Sequence, residues 1–185
     1  MRKSAIAAFE RLYIARYMAT HWPEGGYSLG YPLGPIPENI IKQLGYEAAA
    51  AQFRPWRSEI DAIKFFPDGM LLIEAKIMRP YDGVRGLIMY QGLIPHTPEL
   101  KPWWGADNQM RLIAPVINDV ARLAAERLGI QVDTWSDPET QEHAARYQRY
   151  WSREATLERN LRKQKLAELG LAPKSPLTGE GPFTR

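Results

Sequence analysis

The 185-residue sequence contains no cysteine. Disulfide bonds and thiolate–metal sites are therefore excluded, and the composition is compatible with a reducing compartment such as the cytoplasm. No apolar run approaches the roughly 20 residues that a membrane-spanning helix needs. The basic N-terminal segment is interrupted by Glu10, Arg11 and Arg16, which argues against a secretory signal. We therefore expect a cytoplasmic protein with no membrane partner.

Neither sign of charge dominates, since 24 Lys and Arg residues face 21 Asp and Glu residues, for a net charge of +3. This small excess permits a polyanionic partner without requiring one. A hydrophobic content of 45% indicates a globular chain with one core. We expect an α/β domain over residues 1–136, a long helix over 137–170 and an extended, Pro/Gly-rich tail over 171–185.

Hydrophobic periodicity and turn residues predict most of the elements. The Gly- and Pro-rich stretch 22–37 is predicted to be loop, and 46–53 is ambiguous because its alanines favour helix while its flanks suit a strand. A hairpin followed by alternating helices and strands predicts an α/β fold with a mixed central sheet and flanking helices. The predicted helices are 4–20, 81–94 and 118–129, and the predicted strands are 59–66, 70–78, 109–117 and 130–135.

Charged residues lie within the two apolar strands of the hairpin, where a core is expected. Because side chains alternate along a strand, Glu74 and Lys76 share one side of the second strand, and Asp61 on the first can lie opposite Glu74. Two carboxylates this close repel unless a cation lies between them, and a hard divalent ion suits them. Lys76, on the same face, could hold a phosphate or the water that attacks it. The alternative is an exposed ion pair at a strand end.

Asp61, a hairpin turn and the Glu74–Ala75–Lys76 segment resemble the signature of the PD-(D/E)xK nuclease superfamily. The resemblance implies a restriction-endonuclease-like αβββαβ core, and it favours residues 46–53 as the first strand. It also implies a metal-dependent DNA nuclease. Asp61, Glu74 and the Ala75 carbonyl would hold Mg²⁺ or Mn²⁺, and Lys76 would position or deprotonate the attacking water.

The same resemblance suggests two further catalytic residues, Glu10 on the first helix and Gln91 on the helix after the lysine. The chain departs from the family pattern at two points. Ile60 stands where the family has proline before the aspartate. No Gln-x-x-x-Tyr motif is present, since Tyr90 and Gln91 are adjacent.

Basic residues next to aromatic ones are the candidates for contact with DNA. Arg54 and Arg57 flank Pro–Trp in one loop, and Arg149, Arg153 and Lys163 lie along one face of the last helix. Acidic residues nearly balance the basic ones along that helix, so a solvated face or a protein-docking face is an alternative.

The alternative function is structural. The segments "GYPLGPIP" and "LIMYQGLI" and the Glu-x-Lys strand are similar to those of proteins carried by tailed phages. That resemblance implies a non-catalytic, nuclease-like protein at the head–tail connector or neck of a phage particle. It would be a homo-oligomer or part of a larger assembly contacted through the C-terminal helix and tail, and its location would be the virion.

Overall fold

A computed structural model describes the backbone of residues 3–151 and 153–169, and it describes side chains there except at 3–7, 146–151, 153–156, 159, 163 and 167. Two compact units divide the chain, Met1–Ala144 and Ala145–Arg185. The first unit contains the whole sheet. The predicted tail over 171–185 lies outside the described residues.

The described residues form helices and strands, with 3₁₀ turns at 54–56, 94–96 and 98–103. The strands are β1 (Tyr27–Leu33), β2 (Ser58–Phe66), β3 (Gly69–Ala75), β4 (Gln109–Ile113) and β5 (Ile130–Asp133). The helices are α1 (Lys3–His21), α2 (Glu38–Leu44), α3 (Tyr46–Phe53), α4 (Pro80–Leu93), α5 (Asp119–Arg127), α6 (Pro138–Trp151) and α7 (Arg153–Glu168).

The five strands form one mixed sheet in the order β1-β2-β3-β4-β5. The first three are antiparallel neighbours, and β3, β4 and β5 are parallel. Phe66 pairs with Gly69 across a two-residue turn, which confirms the predicted hairpin. The α/β fold with a mixed sheet is thus confirmed, and the parallel β4–β5 pair is joined through α5 as expected.

Alternation along β3 sends its side chains into two separate cores. Leu72 packs on one face with residues of α4 such as Val84 and Leu87. Leu71 and Ile73 pack on the other face with apolar residues of α1. Because both faces are covered, every residue of β3 is buried, including the charged Glu74.

The N-terminal helix α1 is anchored to the last residue of β5 and to the chain that follows it. The Tyr13 hydroxyl donates to the Trp135 carbonyl, and the Tyr17 hydroxyl donates to an Asp133 carboxylate oxygen at 2.7 Å. The Arg16 guanidinium bonds Asp137 at 3.0 Å. These bonds fix α1 across the sheet, which places its inward face near the end of β3.

Two predictions about the first strand were wrong. Residues 46–53 form helix α3, because the helix propensity of four alanines is not overridden by pairing with a neighbouring strand. The first strand is instead β1, within the stretch 22–37 that was predicted to be loop. A strand at the sheet edge tolerates Pro32, since its unpaired side needs no N–H donor.

The predicted single helix over 137–170 is described as two helices, α6 and α7, with Ser152 outside the described residues. The predicted caps are confirmed at two helices. The Asn118 side chain accepts from the Ala121 N–H at 2.8 Å, and the Asp137 side chain accepts from the Thr140 N–H at 2.7 Å.

Substituting Gly83 by alanine is expected to destabilise the fold, because α4 lies close to the sheet at that point. An added Cβ would lie 2.5 Å from Leu112 Cδ1 and 3.0 Å from Lys76 Cγ. We expect Gly83→Ala to lower the free energy of unfolding by about 1–3 kcal/mol in urea denaturation. Gly92→Ala is the matched control, because its added Cβ would meet no described atom within 4 Å beyond its chain neighbours and the backbone of its own helix. It should raise the free energy by about 0.5–1 kcal/mol. Equal stability of the two variants would show that α4 is not this close to the sheet.

Candidate active site

The site forms where β3 continues beyond its pairing with β2. The β2–β3 ladder ends at the pair Ala62–Ile73, so the next N–H on that side of β3 lacks a main-chain partner in β2. A side-chain oxygen replaces it, since the Ala75 N–H donates to Asp61 Oδ2 at 2.9 Å. The Asp61 carboxylate is therefore held beside β3 by the backbone of β3 itself.

The next two N–H groups after Ala75 continue this alternation. The Lys76 N–H donates to the Ile113 carbonyl of β4 at 2.9 Å. The Ile77 N–H, on the same side as that of Ala75, donates to Glu10 Oε1 of α1 at 3.2 Å. The carboxylates of Asp61 and Glu10 thus accept from the Ala75 and Ile77 N–H groups, which point to the same side of the chain. Both carboxylates therefore lie at the end of β3.

The Lys76 ammonium joins the two strand carboxylates. Its Nζ lies 2.7 Å from Glu74 Oε1 and 3.6 Å from Asp61 Oδ2. Only 6% of the Glu74 side chain is exposed, whereas Asp61 and Lys76 are about one-fifth exposed. The three predicted residues therefore lie together at the end of β3, with a partial opening to solvent.

Burial and neighbouring charge shift the ionisation of this cluster. Burial, with a smaller contribution from Asp61, raises the pKa of Glu74 to about 7, although Lys76 opposes the rise. Burial disfavours the charge of Lys76, but Glu74 and Asp61 outweigh it and raise the pKa of the ammonium. Burial also raises the pKa of Glu10. Glu74 can therefore gain or lose a proton near neutral pH while Lys76 keeps its charge.

The donor set suits a hard divalent cation. Glu74 Oε2 is buried and has no hydrogen-bond partner among the described residues, which is costly unless a proton or cation occupies that side of the carboxylate. Asp61 supplies a second carboxylate beside it. Within the described ranges, no group of three or more His, Asp or Glu side chains is arranged to hold a metal ion. A metal here would therefore also need main-chain or water oxygens.

The other predicted site residues are placed differently. Gln91 is exposed on α4, and among the described residues no hydrogen bond joins it to the cluster. Its neighbour Tyr90 does face the site. Burial, together with Glu74 and Asp61, raises the pKa of Tyr90 to about 12, and its hydroxyl donates to the Glu59 carbonyl at 3.0 Å.

The predicted DNA-binding residues fall into three groups. Arg54 is exposed and close to the site. Arg57 is buried and donates twice to Glu99, at 2.7 and 2.8 Å, so its guanidinium is not free for a phosphate. The side chains of Arg149, Arg153 and Lys163 lie outside the described residues.

Two charged residues near the cluster were missed by sequence reasoning. Arg11 and Glu59 pair across a cleft beside Asp61, at 3.6 Å. Their sequence positions, next to predicted site residues, could have identified them. Arg11 follows Glu10 on α1, and Glu59 lies two residues before Asp61, on the same face of β2.

No protein-family model and no curated protein matches this chain. Among solved structures, the chain is similar to a repair endonuclease from Pyrococcus abyssi, with 16% sequence identity and a TM-score of 0.42. The matched region covers 75% of this chain and 49% of the endonuclease, so it spans about half of that protein's length. A likeness this distant establishes neither a shared activity nor a shared substrate. The predicted role in a phage particle is tested by neither the fold nor these comparisons.

No helix within residues 3–151 and 153–169 combines the length and the apolar character needed to cross a membrane.

Replacing Glu74 by glutamine should change how stability depends on pH. The pKa of Glu74 is about 7 in the folded protein, whereas the ordinary value, which applies to the unfolded chain, is 4.5. The unfolded chain therefore releases this proton at lower pH than the folded protein does. The wild type therefore loses stability as pH rises from about 4.5 to about 7. The free energy of unfolding of Glu74→Gln relative to wild type should rise by roughly 1–3 kcal/mol across this window. Urea denaturation of both proteins at several pH values, without divalent ions, measures this difference in stability. A difference that does not change with pH would contradict the raised pKa of Glu74.

Proposed function

We propose that this protein is a metal-dependent nuclease of the PD-(D/E)xK type that hydrolyses phosphodiester bonds in DNA. The supporting observation is that carboxylates from two adjacent strands, Asp61 and Glu74, contact the same ammonium group of Lys76. The three lie at the end of β3. With β1 as the first strand, α1, β1, β2, β3, α4 and β4 follow the order αβββαβ that the resemblance implies, with α2 and α3 inserted between β1 and β2.

Asp61, Glu74 and the Ala75 carbonyl would hold Mg²⁺ or Mn²⁺. When bound, such a metal stabilises negative charge on the phosphate and on the leaving oxygen. The buried, unpaired Glu74 Oε2 and the adjacent Asp61 are the observations that favour this assignment. Glu10 would add a carboxylate at the rim, since it is held by the Ile77 N–H and carries a raised pKa.

Lys76 would act as a charged hydrogen-bond donor. Its pKa is raised, so the ammonium form dominates and proton abstraction by Lys76 is disfavoured while its carboxylate partners remain paired with it. An ammonium at this position can orient the attacking water or donate to a phosphate oxygen. Asp61 and Glu74 hold its Nζ at the partly open side of the cluster.

The competing interpretation is that Lys76 only neutralises two buried carboxylates. A buried ion pair is by itself weak support for any role, because desolvation offsets much of its attraction. The observation that favours a bound metal is that Glu74 Oε2 is buried with no hydrogen-bond partner within the described residues. The two interpretations differ in whether the pure protein cleaves DNA.

The cleavage test uses pure protein with plasmid and with single-stranded DNA, in Mg²⁺ or Mn²⁺ and in EDTA. We expect cleavage that needs the metal. Asp61→Asn, Glu74→Gln and Lys76→Met should each reduce the rate by at least about 100-fold. The first two remove a charged ligand of the metal, and the third removes the donor to the attacking water or the phosphate.

Lys42→Met and Glu38→Gln are the matched controls, since these residues form an exposed pair on α2. Both controls should cleave at the wild-type rate, and urea denaturation should show that all variants fold. Absence of cleavage by the folded wild type with either metal would rule out the nuclease. Equal cleavage by wild type and Glu74→Gln would place the activity elsewhere.

A further inference from the structure

A cleft of about 490 Å³ opens beside Asp61, between α1, the edge strand β1 and the turn that follows α3. Asp61 lines this cleft, so it is continuous with the charged cluster. Ile14 and Leu29 provide apolar walls. The remaining charged lining residues are Arg11, Arg54 and Glu59.

Two arginines in the cleft share a single carboxylate. Arg11 lies 3.6 Å from one Glu59 oxygen and Arg54 lies 3.7 Å from the other, both beyond the reach of a good hydrogen bond. The Arg11 and Arg54 side chains are 77% and 54% exposed. Exposed pairs of this kind contribute at most about 1 kcal/mol to stability, so both guanidinium groups keep donors available to a ligand.

Arg57 shows how this chain builds an arginine pair for stability. Its side chain is 3% exposed and makes two parallel bonds to Glu99, at 2.7 and 2.8 Å. Arg11 and Arg54 have neither the burial nor the bidentate geometry. Their contacts with Glu59 therefore contribute little to the stability of the fold and leave the guanidinium groups accessible.

The backbone nevertheless positions this arrangement. Arg54 Nη2 donates to the Gly30 carbonyl at 2.8 Å, which directs the guanidinium into the cleft. Gly30 has a φ of 60°, and an added Cβ would come within 3.0 Å of Glu59 Oε1. Glycine at this place in β1 therefore leaves room for the Glu59 carboxylate between the two arginines.

We propose that Arg11 and Arg54 form a subsite for a phosphodiester group of the DNA backbone, and that Glu59 is the anion which this phosphate displaces. Guanidinium groups bind carboxylate and phosphate with the same fork of donors, so a carboxylate is a natural occupant in the free protein. The inference rests on the proposed nuclease function, because the cleft ends at Asp61. The strand held here would run toward the cluster at Lys76.

The test is binding of a labelled oligonucleotide, single-stranded and duplex, followed by fluorescence anisotropy in EDTA over a range of salt. Arg11→Gln and Arg54→Gln should each weaken binding by about tenfold. Each should also reduce the slope of log K against log salt by about 0.9 for duplex or about 0.7 for single strands, because one phosphate contact is lost. Arg54→Lys should retain most of the slope, since the charge is kept.

Glu59→Gln should bind DNA at least about threefold more tightly than wild type, because the competing carboxylate is gone. Arg127→Gln and Glu126→Gln on α5 are controls with the same change of net charge outside the cleft. The subsite is refuted if the cleft arginine variants match Arg127→Gln, or if Glu59→Gln binds no better than Glu126→Gln.

The cleavage assay distinguishes this failure from failure of the proposed function. If the wild type cleaves and Glu74→Gln does not, while both arginine variants bind like wild type, only the subsite is wrong. If the wild type neither binds nor cleaves DNA with Mg²⁺ or Mn²⁺, both proposals fall.

Discussion

The ammonium group of Lys76 allows Glu74 and Asp61 to lie side by side at the end of β3. Glu74 is buried between the sheet and α4, where a lone carboxylate would be strongly disfavoured, and Asp61 adds a second negative charge beside it. A cation at this point, whether ammonium or metal, is what makes the arrangement tolerable. Helix α4 passes close to this cluster, since a Cβ added at Gly83 would lie 3.0 Å from Lys76 Cγ.

The difference in length between two ladders creates the place for this cluster. β3 stays paired with β4 through Ala75, whereas its pairing with β2 ends at Ile73. The donors left over on the β2 side are capped by Asp61 and Glu10 instead of by a strand. Asp61 and Glu10 are thereby bonded to the backbone at the end of β3, and Asp61 also lines the cleft beside β1.

Local patterns were sufficient for the hairpin, which brings Asp61 next to β3, and for Glu74 and Lys76, because the period of two along β3 fixes which of its side chains share a face. They failed for the first strand. Residues 46–53 form helix α3, as the helix propensity of their four alanines favours, and the family resemblance was misleading there. Strand β1 is held by long-range pairing with β2, which no local signal in a Gly/Pro-rich stretch reveals. The sequence did not reveal that Arg57 is buried in an ion pair whereas Arg54 is exposed. Nor did it reveal that Arg11 pairs with Glu59, because that contact depends on how α1 packs.

The central claim is that Asp61 and Glu74 are held together to bind a divalent ion. A crystal structure of the protein grown with Mn²⁺ tests it most directly, through anomalous scattering from the metal. The account predicts a peak within coordination distance of both carboxylates, about 2.0–2.3 Å from their oxygens, with Lys76 Nζ moved off Glu74. A map with no peak there, and with Lys76 still bonded to Glu74 at saturating Mn²⁺, would contradict it.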